Sequence, residues 1–277
     1  KVIPGRIYLK KESGGIVEIL FHKKVNEKTI TCIYSSSRKL TLYSKLYLNE
    51  SIFFTIEKID RNYVILSCLN DPMNIFIKHG EVPLPKYIKR KATSNDITRY
   101  QTTYAKTPGS VAAPTAGLHF TKEILKQLKA NGVLVEYITL HVTYNTFKPI
   151  ENDDYTLHDI GSEYCFIKEN LMNKIIKVKD NNKKIIAVGT TVTRALENYA
   201  SKSLNGDYSG EVDLFITPGY KFKIIDSLIT NFHLPQSTLL LLVASLTGRE
   251  TLLNLYKNAI EHKYRFYSYG DSMFIRS

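Results

Sequence analysis

Residues 184–200, KIIAVGTTVTRALENYA, join an apolar strand to a helix through one glycine and two threonines. The pattern predicts a strand that ends at Gly189 and a helix that begins at Thr190, with Thr191 in its first turn. Such a turn lies at the carboxyl edge of a sheet, where helix N–H groups bind anionic or polar ligands. It matches neither a dinucleotide fingerprint nor a Walker loop, and an ordinary capped β-α turn has the same pattern.

Helix and strand patterns alternate on both sides of this turn, beyond residue 83. Helices are predicted over 95–104, 121–130, 168–179 and 237–246, and strands over 133–142, 211–219 and 222–232. Crossovers of this length favour a parallel or mixed sheet flanked by helices.

The first 70 residues have a different pattern, with short strands separated by turns. The predicted strands cover 14–21, 29–34, 39–48, 51–59 and 62–69, which indicates a small β-barrel. Asp71 and Pro72 then predict a capped helix, and Gly80 stands where a left-handed residue would end it. We therefore predict an α/β protein with an all-β barrel domain over 1–82 and an α/β catalytic domain over 83–277. Because the chain opens on a strand pattern without an initiator Met, we expect an N-terminal segment of the α/β domain to precede it.

The formal net charge of +12 indicates a polyanionic partner, either nucleic acid or an acidic membrane. Lysine is dense at 23–24, 86–91 and 183–184, but no basic amphipathic helix favours a membrane. A lysine-rich solvated surface is the simpler alternative.

The cysteines and the apolar runs indicate a cytosolic protein. Cys32, Cys68 and Cys165 are odd in number and far apart, which predicts neither a disulfide framework nor a zinc knuckle. The most apolar run, 238–246, is much shorter than the roughly 20 residues of a membrane-spanning helix. The histidines are dispersed, so we expect no metal site.

Several further segments could carry chemistry. SVAAPTAGLHF, residues 110–120, is small and flexible up to His119, a candidate acid, base or hydrogen-bond partner; a surface histidine beside a helix cap explains it equally well. The strand-to-helix segment 231–238 groups an amide, an imidazole and two hydroxyls. A third group lies at strand ends, irregular segments and turns, where structural roles are the simpler explanation: His141, His158, Glu163, Tyr269 and Asp271.

Taken in order, SVAAPTAGLHF, TLHV with TFKP, AVGTT-x-x-R-x-LE, FITPGY-x-F-x-I-D, LITNFHLP-x-ST and YRFYSYGD-x-M resemble the ribosyltransferase-isomerase family of queuosine synthesis. KVIPGRIYLKKESGGIVEIL and PLPKYIKR extend the resemblance over nearly the whole chain. It implies a β-barrel on an α/β domain. It also implies transfer and isomerisation of the ribosyl moiety of S-adenosylmethionine onto 7-aminomethyl-7-deazaguanine at the wobble position of tRNA. Epoxyqueuosine forms, and adenine and methionine leave.

The resemblance implies that S-adenosylmethionine is a consumed substrate and that no other cofactor is needed. We expect a cytoplasmic protein that acts as a monomer, without membrane contact. His119, His233, Asp271 and Glu163 are the predicted catalytic residues. The predicted substrate-binding residues are Thr115, Gly117, His141, His158, Gly189, Thr190, Thr191, Arg194, Asn231, Ser237, Thr238 and Tyr269. For Arg194, a surface ion pair is the simpler alternative.

Two segments depart from the family pattern. LHVTYNTF stands where the family has L-H-V-G-x-G-T-F, and residues 158–163, HDIGSE, stand where it has H-x-M-H-S-E. If the histidine replaced by Gly161 is an essential acid or base, the protein is impaired or uses another group. Two other functions fit the residues: a non-catalytic tRNA-binding protein, and another S-adenosylmethionine-dependent tRNA-modifying enzyme such as a methyltransferase.

Overall fold

The computed structural model describes residues 1–85, 87–143, 149–152, 154–158 and 160–276. The chain forms two compact units, the first of Lys1–Gln101 with Lys106–Ala112 and the second of Thr102–Ala105 with Ala113–Ser277. The first unit therefore extends well past the boundary predicted after residue 82.

A closed six-stranded antiparallel barrel dominates the first unit. Its strands are β1 (Arg6–Lys11), β2 (Ile16–Lys24), β3 (Thr29–Ser36), β4 (Lys45–Tyr47), β5 (Phe53–Asp60) and β6 (Tyr63–Ser67), in the order β1-β2-β3-β6-β5-β4. Alternate side chains such as Val17, Ile30 and Leu66 are fully buried, as the period of two requires. The predicted barrel is confirmed, although the sequence pattern does not single out β1, which is rich in basic residues.

Helix α1 (Pro72–His79) begins as its sequence predicts and ends differently. The Asp71 side chain accepts a hydrogen bond from the Met73 N–H at 3.0 Å. The prediction of a left-handed Gly80 is wrong, because its φ of −83° is extended. Glycine is needed there for space, since a Cβ would lie 1.8 Å from the carbonyl oxygen of Pro4.

The rest of the first unit is held by the start of the chain. Helix α2 (Ser94–Arg99) is shorter than predicted. The Val2 N–H donates to Gln101 Oε1 at 2.9 Å, and the Ile3 N–H donates to the Ser110 carbonyl at 2.9 Å. These long-range bonds explain why the unit reaches residue 112.

The second unit contains two three-stranded sheets and five helices among the described residues. Its elements are α3 (Lys122–Ala130), β7 (Thr139–His141), β8 (Glu163–Ile167), α4 (Glu169–Asp180), β9 (Ile186–Val188), α5 (Thr190–Ser201), β10 (Tyr208–Val212), β11 (Ser227–Asn231), α6 (Thr238–Thr247), α7 (Arg249–Glu261) and β12 (Ser272–Arg276), with 3₁₀ helices at Thr115–His119 and Tyr155–Leu157. One sheet has the order β10-β8-β7 and is antiparallel. The other has the order β12-β11-β9, in which β9 and β11 are parallel and β12 is antiparallel. The predicted α/β class with a mixed sheet is confirmed.

Several elements of this unit differ from the sequence pattern. The strand predicted over 211–219 lies earlier, at Tyr208–Val212, and the strand predicted over 222–232 is limited to Ser227–Asn231. The strand predicted over 133–142 is reduced to Thr139–His141, and Leu134 is 71% exposed. Helix α7, which the pattern does not single out, is mostly exposed and carries a weak apolar face. Among the described residues no single helix is long and apolar enough to cross a membrane; α6 and α7 reach that length only together and are bent by 110°.

Candidate active site at the carboxyl ends of β9 and β11

The turn after β9 is built around Gly189. Its φ of +100° is a conformation that favours glycine, and its N–H donates to the Ile229 carbonyl of β11 at 2.8 Å. Thr190 and Thr191, the first residues of α5, are buried. Thr191 Oγ1 is buried without a hydrogen-bond partner among the described residues. The turn thus presents a free hydroxyl at the carboxyl edge of the parallel strand pair.

The 3₁₀ helix Thr115–His119 lies beside this turn. A Cβ placed on Gly189 would lie 3.6 Å from Thr191 Oγ1 and 3.9 Å from the Ala116 Cβ. Gly117 faces another neighbour, since a Cβ there would lie 2.2 Å from the Tyr104 hydroxyl oxygen. Close packing against Tyr104 explains this glycine without a ligand, so ligand contact by Gly117 stays a prediction.

His119 is joined to the end of β11 by Asn231. The two lie 112 residues apart in sequence, and Asn231 Nδ2 lies 3.3 Å from His119 Nε2. The same amide nitrogen donates to the Tyr267 carbonyl at 3.1 Å, which fixes the orientation of the amide. Nε2 of His119 therefore accepts a hydrogen bond from the Asn231 amide, and Nδ1 carries the ring's own proton. Asn231 Oδ1, at the other side of the amide, is buried and has no partner among the described residues.

The surroundings of His119 favour the neutral ring. Burial lowers its pKa below the usual value of 6.5, the Asp271 carboxylate opposes this shift, and Arg265 adds to it. The Arg265 side chain binds Asp271, with 2.7 Å between Nη2 and Oδ1, and it holds the pKa of that carboxyl below its usual range. Asp271 thus influences the pKa of His119 electrostatically, while its carboxylate is already paired with Arg265.

His233 has other hydrogen-bond partners than this pair. Its Nε2 lies 2.8 Å from Thr230 Oγ1, and its backbone N–H donates to the Tyr256 hydroxyl at 2.7 Å. Thr230 and Asn231 are consecutive in β11, so their side chains point to opposite faces of the sheet. Burial of the ring lowers the pKa of His233 to about 4. Among the described residues the two predicted catalytic histidines share no hydrogen bond, and a catalytic role for His233 stays a prediction.

Arg194 and Glu163 form a buried ion pair. Nη1 of Arg194 lies 3.2 Å from Glu163 Oε2, and both side chains are less than 5% exposed. Arg194 also donates through Nε to the Leu214 carbonyl at 3.0 Å. The structure thus gives Arg194 a buried ion pair in place of the surface pair that the sequence allows.

A residue that sequence patterns did not single out lies one turn further along α5. Glu197 is fully buried, and its two carboxylate oxygens accept hydrogen bonds from the N–H groups of Lys223, Ile224 and Ile225, each at 2.9 Å. The Tyr220 hydroxyl donates to it as well, at 3.1 Å. Glu197 anchors the segment before β11; its place in the R-x-LE motif, three residues after Arg194, was the available signal.

The other predicted site residues are dispersed. His141 ends β7 and stacks on Tyr164 with 5.8 Å between ring centroids, while His158 faces Phe215 at 6.5 Å. Ser237 caps α6, accepting from the Leu240 N–H at 3.2 Å. Three more lie at element starts or in a turn: Thr115 and Thr238 at helix starts, and Tyr269 half-buried before Gly270. Their predicted contacts with substrate stay predictions.

The two departures from the family pattern fall partly outside the described residues. Thr143 is buried, whereas residues 144–148, and Asp159 in the second segment, are not described. Gly161 has a φ of +66°, in the left-handed region, so a histidine there would cost about 1 kcal/mol of backbone energy. Within the described ranges no three His, Cys, Asp or Glu side chains are grouped to hold a metal ion.

Comparison with known proteins identifies the family. The family model described as "Queuosine biosynthesis protein" matches residues 1–275. A relative from Sulfurihydrogenibium sp. is 43% identical over 277 residues, which are 99% of this chain and 82% of the relative. A relative from Francisella philomiragia is 42% identical over 276 residues, again 99% of this chain and 82% of the relative. Both are named S-adenosylmethionine:tRNA ribosyltransferase-isomerase.

A solved structure agrees with this assignment. The crystal structure of S-adenosylmethionine tRNA ribosyltransferase from Thermotoga maritima is 29% identical, with a TM-score of 0.50, and the match covers 99% of this chain and 79% of that one. The chain belongs to the queuosine biosynthesis protein family, and it is an enzyme of the transferase and isomerase class that its relatives' names describe.

Proposed function

We propose that this enzyme transfers and isomerises the ribosyl moiety of S-adenosylmethionine onto 7-aminomethyl-7-deazaguanine at the tRNA wobble position. The products are epoxyqueuosine in tRNA, free adenine and methionine. S-adenosylmethionine is consumed as a substrate, and no separate cofactor takes part. The enzyme acts in the cytoplasm as a monomer.

The observation that carries the proposal is a pair of buried polar atoms that have no hydrogen-bond partner within the described part of the chain. Thr191 Oγ1 and Asn231 Oδ1 lie at the carboxyl ends of β9 and β11, which are hydrogen-bonded neighbours. Leaving such an atom buried and unpaired costs about 1–3 kcal/mol. A ligand that binds at this edge would supply the missing partners. The ribose hydroxyls and the adenine amino group of the donor are suited to a hydroxyl and an amide oxygen.

The charge state of His119 also suits this donor. S-adenosylmethionine carries a positive sulfonium, which an imidazolium would repel. Burial keeps the pKa of His119 below 6.5, so the ring is neutral at neutral pH. The nearby Asp271 carboxylate contributes a negative field. We therefore place the donor between the Gly189 turn and His119.

The chemistry gives His119 a specific task. A sulfonium is a good leaving group and acidifies the C5′ position next to it, and adenine must leave with a proton. With Asn231 bonded to Nε2, the Nδ1–H of His119 is the ring's remaining donor. In this proposal it hydrogen-bonds to the donor and supports the departure of adenine. Positioning of the reacting atoms contributes the remainder of the rate.

Adenine release tests the reaction directly. The protein is mixed with S-adenosylmethionine and either tRNA that carries 7-aminomethyl-7-deazaguanine or unmodified tRNA, and adenine is quantified by chromatography. We expect adenine only with the modified tRNA. Tight tRNA binding with no adenine would support the non-catalytic alternative, and Gly161→His would then be the first variant to examine.

A methyl label separates the remaining alternative. With S-adenosylmethionine labelled in its methyl group, the proposed reaction sends all label into methionine. A methyltransferase would send it into tRNA. Label in the tRNA fraction would overturn the proposal even if adenine were also detected.

A further inference from the structure

Helix α3 is exposed along its whole length. None of its nine residues is buried; Leu125 and Leu128 are half-buried and mark the inner side. Lys122, Lys126 and Lys129 are all exposed, and their spacing of four and three residues puts them on one side of the helix. We call these three residues the α3 basic face. None of them forms an ion pair within the part of the chain that the structure describes.

The α3 basic face begins next to the candidate active site. Lys122 follows His119 by three residues, so their Cα atoms are at most about 10 Å apart. From Lys122 to Lys129 the helix rises by about 10 Å. A nucleic-acid strand that delivers a base to His119 and runs along this helix would be within reach of all three ammonium groups.

The position of Lys122 is unfavourable for the helix itself. It is the first residue of α3, where the positive end of the helix dipole disfavours a cation. A phosphate bound at this point would remove that conflict. Local sequence choices that oppose stability are expected at functional sites.

An exposed aromatic ring is linked through Tyr104 to the 3₁₀ helix that carries His119. The Tyr104 hydroxyl packs against Gly117, two residues before His119. The Tyr104 ring is 5.0 Å from the ring of Tyr137, which is 46% exposed. Sequence-specific RNA recognition uses such rings to stack unpaired bases of loops.

We infer that the α3 basic face and Tyr137 bind the RNA strand that carries the acceptor base, with the lysines on successive phosphates and Tyr137 against an unstacked base. This inference rests on the proposed function for the identity of the RNA. It goes further by assigning the binding surface. An RNA is favoured over a membrane because Leu125 and Leu128 of α3 are half-buried, and Ile124, which is 40% exposed, offers little apolar surface for insertion.

A charge-matched pair of variants tests the lysines. Lys122→Gln/Lys126→Gln/Lys129→Gln is compared with Lys177→Gln/Lys183→Gln/Lys184→Gln, which removes three exposed lysines from the end of α4 and the segment after it. The Kd for tRNA is measured at several salt concentrations. We expect the slope of log Kd against log salt to fall by about 2 to 3 in the α3 variant. Equal losses of tRNA affinity and of salt slope in both variants would show that net charge alone causes the effect. That result would overturn the assignment of the α3 basic face.

The stacking contact is tested at Tyr137. Tyr137→Phe keeps the ring, and Tyr137→Leu removes it. We expect the leucine variant to bind tRNA roughly 5- to 100-fold more weakly, while the phenylalanine variant stays within about 3-fold of the parent. The melting temperature of both variants is measured as well, because Tyr137 also packs on Tyr104. Unchanged tRNA affinity in a folded Tyr137→Leu variant would show that Tyr137 does not belong to the RNA-binding surface.

These measurements separate the inference from the proposed function. Binding is measured without S-adenosylmethionine, so it does not depend on turnover. Loss of affinity in the α3 variant together with no adenine release by the parent would retain the surface and reject the proposed reaction. Adenine release by the parent with full tRNA affinity in the α3 and leucine variants would reject the surface alone.

Discussion

The first turn and the middle of α5 carry polar residues in opposite situations. In the first turn, Thr191 has a buried hydroxyl with no partner among the described residues. In the middle, Arg194 is paired with Glu163 at 3.2 Å, and Glu197 accepts four hydrogen bonds. Thr191, Arg194 and Glu197 belong to one motif, AVGTT-x-x-R-x-LE. A motif residue whose polar atoms are satisfied has a role in stability, whereas Thr191, at the end of a strand, has a hydroxyl still available to a ligand. Asn198, inside α5, also has both amide atoms buried without partners among the described residues, so position at the strand ends is needed in addition to the missing partner.

The two histidines next to β11 differ in the same way. Among the described residues Nδ1 of His119 forms no hydrogen bond, and its Nε2 contacts the amide nitrogen of Asn231, whose oxygen is also without a partner there. His233 is engaged through its ring by Thr230 and through its backbone by Tyr256. We therefore expect substitutions at His119 to affect the reaction and those at His233 to affect the fold.

The largest expected effect is on turnover in a His119→Ala variant. Loss of a group that transfers or directs a proton reduces rates by about 10²- to 10⁴-fold, and adenine release should fall by that factor. Because the neutral ring is the competent form, the rate of the parent should also decline as the pH falls through the lowered pKa of His119, below about 6.5. The rate of adenine release is measured at pH values from about 5 to about 8, which include the range where histidine titrates.

His119→Gln sharpens this prediction, because glutamine keeps a hydrogen-bond donor and loses the titration. If alanine leaves the rate within 10-fold of the parent, His119 is not part of the reaction site and the contrast with His233 fails.

The next effect in size is on stability, in an Arg194→Met variant. It leaves Glu163 buried without its partner, which costs about 3–5 kcal/mol of the free energy of unfolding. Replacing Glu163 by Met as well should restore most of this loss. Both are measured by urea unfolding. A small loss of stability together with a large loss of affinity for S-adenosylmethionine would show that Arg194 serves donor binding and not the stability of the fold.

A smaller effect is the pH dependence of stability at His233. Its pKa of about 4 in the folded protein lies below the unfolded value of 6.5, so the unfolded state binds the proton first. The contribution of the neutral His233 ring to the free energy of unfolding is complete above pH 6.5. It is lost as the pH falls towards 4, and the loss amounts to about 2–3 kcal/mol. His233→Gln should flatten the unfolding free energy over this window relative to the parent. An unchanged pH dependence would show that this ring is solvated.

Much of the fold follows from local sequence patterns. Alternation predicted the barrel, and Thr121, Gly189 and Ser237 marked the starts of α3, α5 and α6 at or within one residue. The extent of the strand predicted over 133–142 was wrong, because an apolar run such as VLVEYI has no local feature that distinguishes an exposed loop from a buried strand. Extent of pairing depends on neighbours that lie far away in sequence.

The site was predictable only as a set of candidates. His119 and Asn231 both belong to resembling segments, but their contact spans 112 residues and no local pattern encodes it. Arg194 belongs to another of these segments and Glu163 to the departing segment 158–163, and their buried ion pair supports the fold, while their roles toward substrate stay predictions. Whether a polar atom has a hydrogen-bond partner depends on the folded chain. The sequence alone therefore does not distinguish the candidate site residues from the residues that stabilise the fold.

Paired substitutions at Thr191 and Thr193 test the central claim most directly. Both threonines are buried in α5, but Thr193 Oγ1 donates to the Gly189 carbonyl at 3.2 Å, whereas Thr191 Oγ1 has no partner among the described residues. We expect Thr191→Val to weaken binding of S-adenosylmethionine by about 3- to 10-fold at unchanged stability. Thr193→Val should lower the unfolding free energy by about 1 kcal/mol at unchanged donor affinity. Calorimetric titration and urea unfolding give both quantities, and full donor affinity in a stable Thr191→Val variant would contradict the assignment of this turn to the donor.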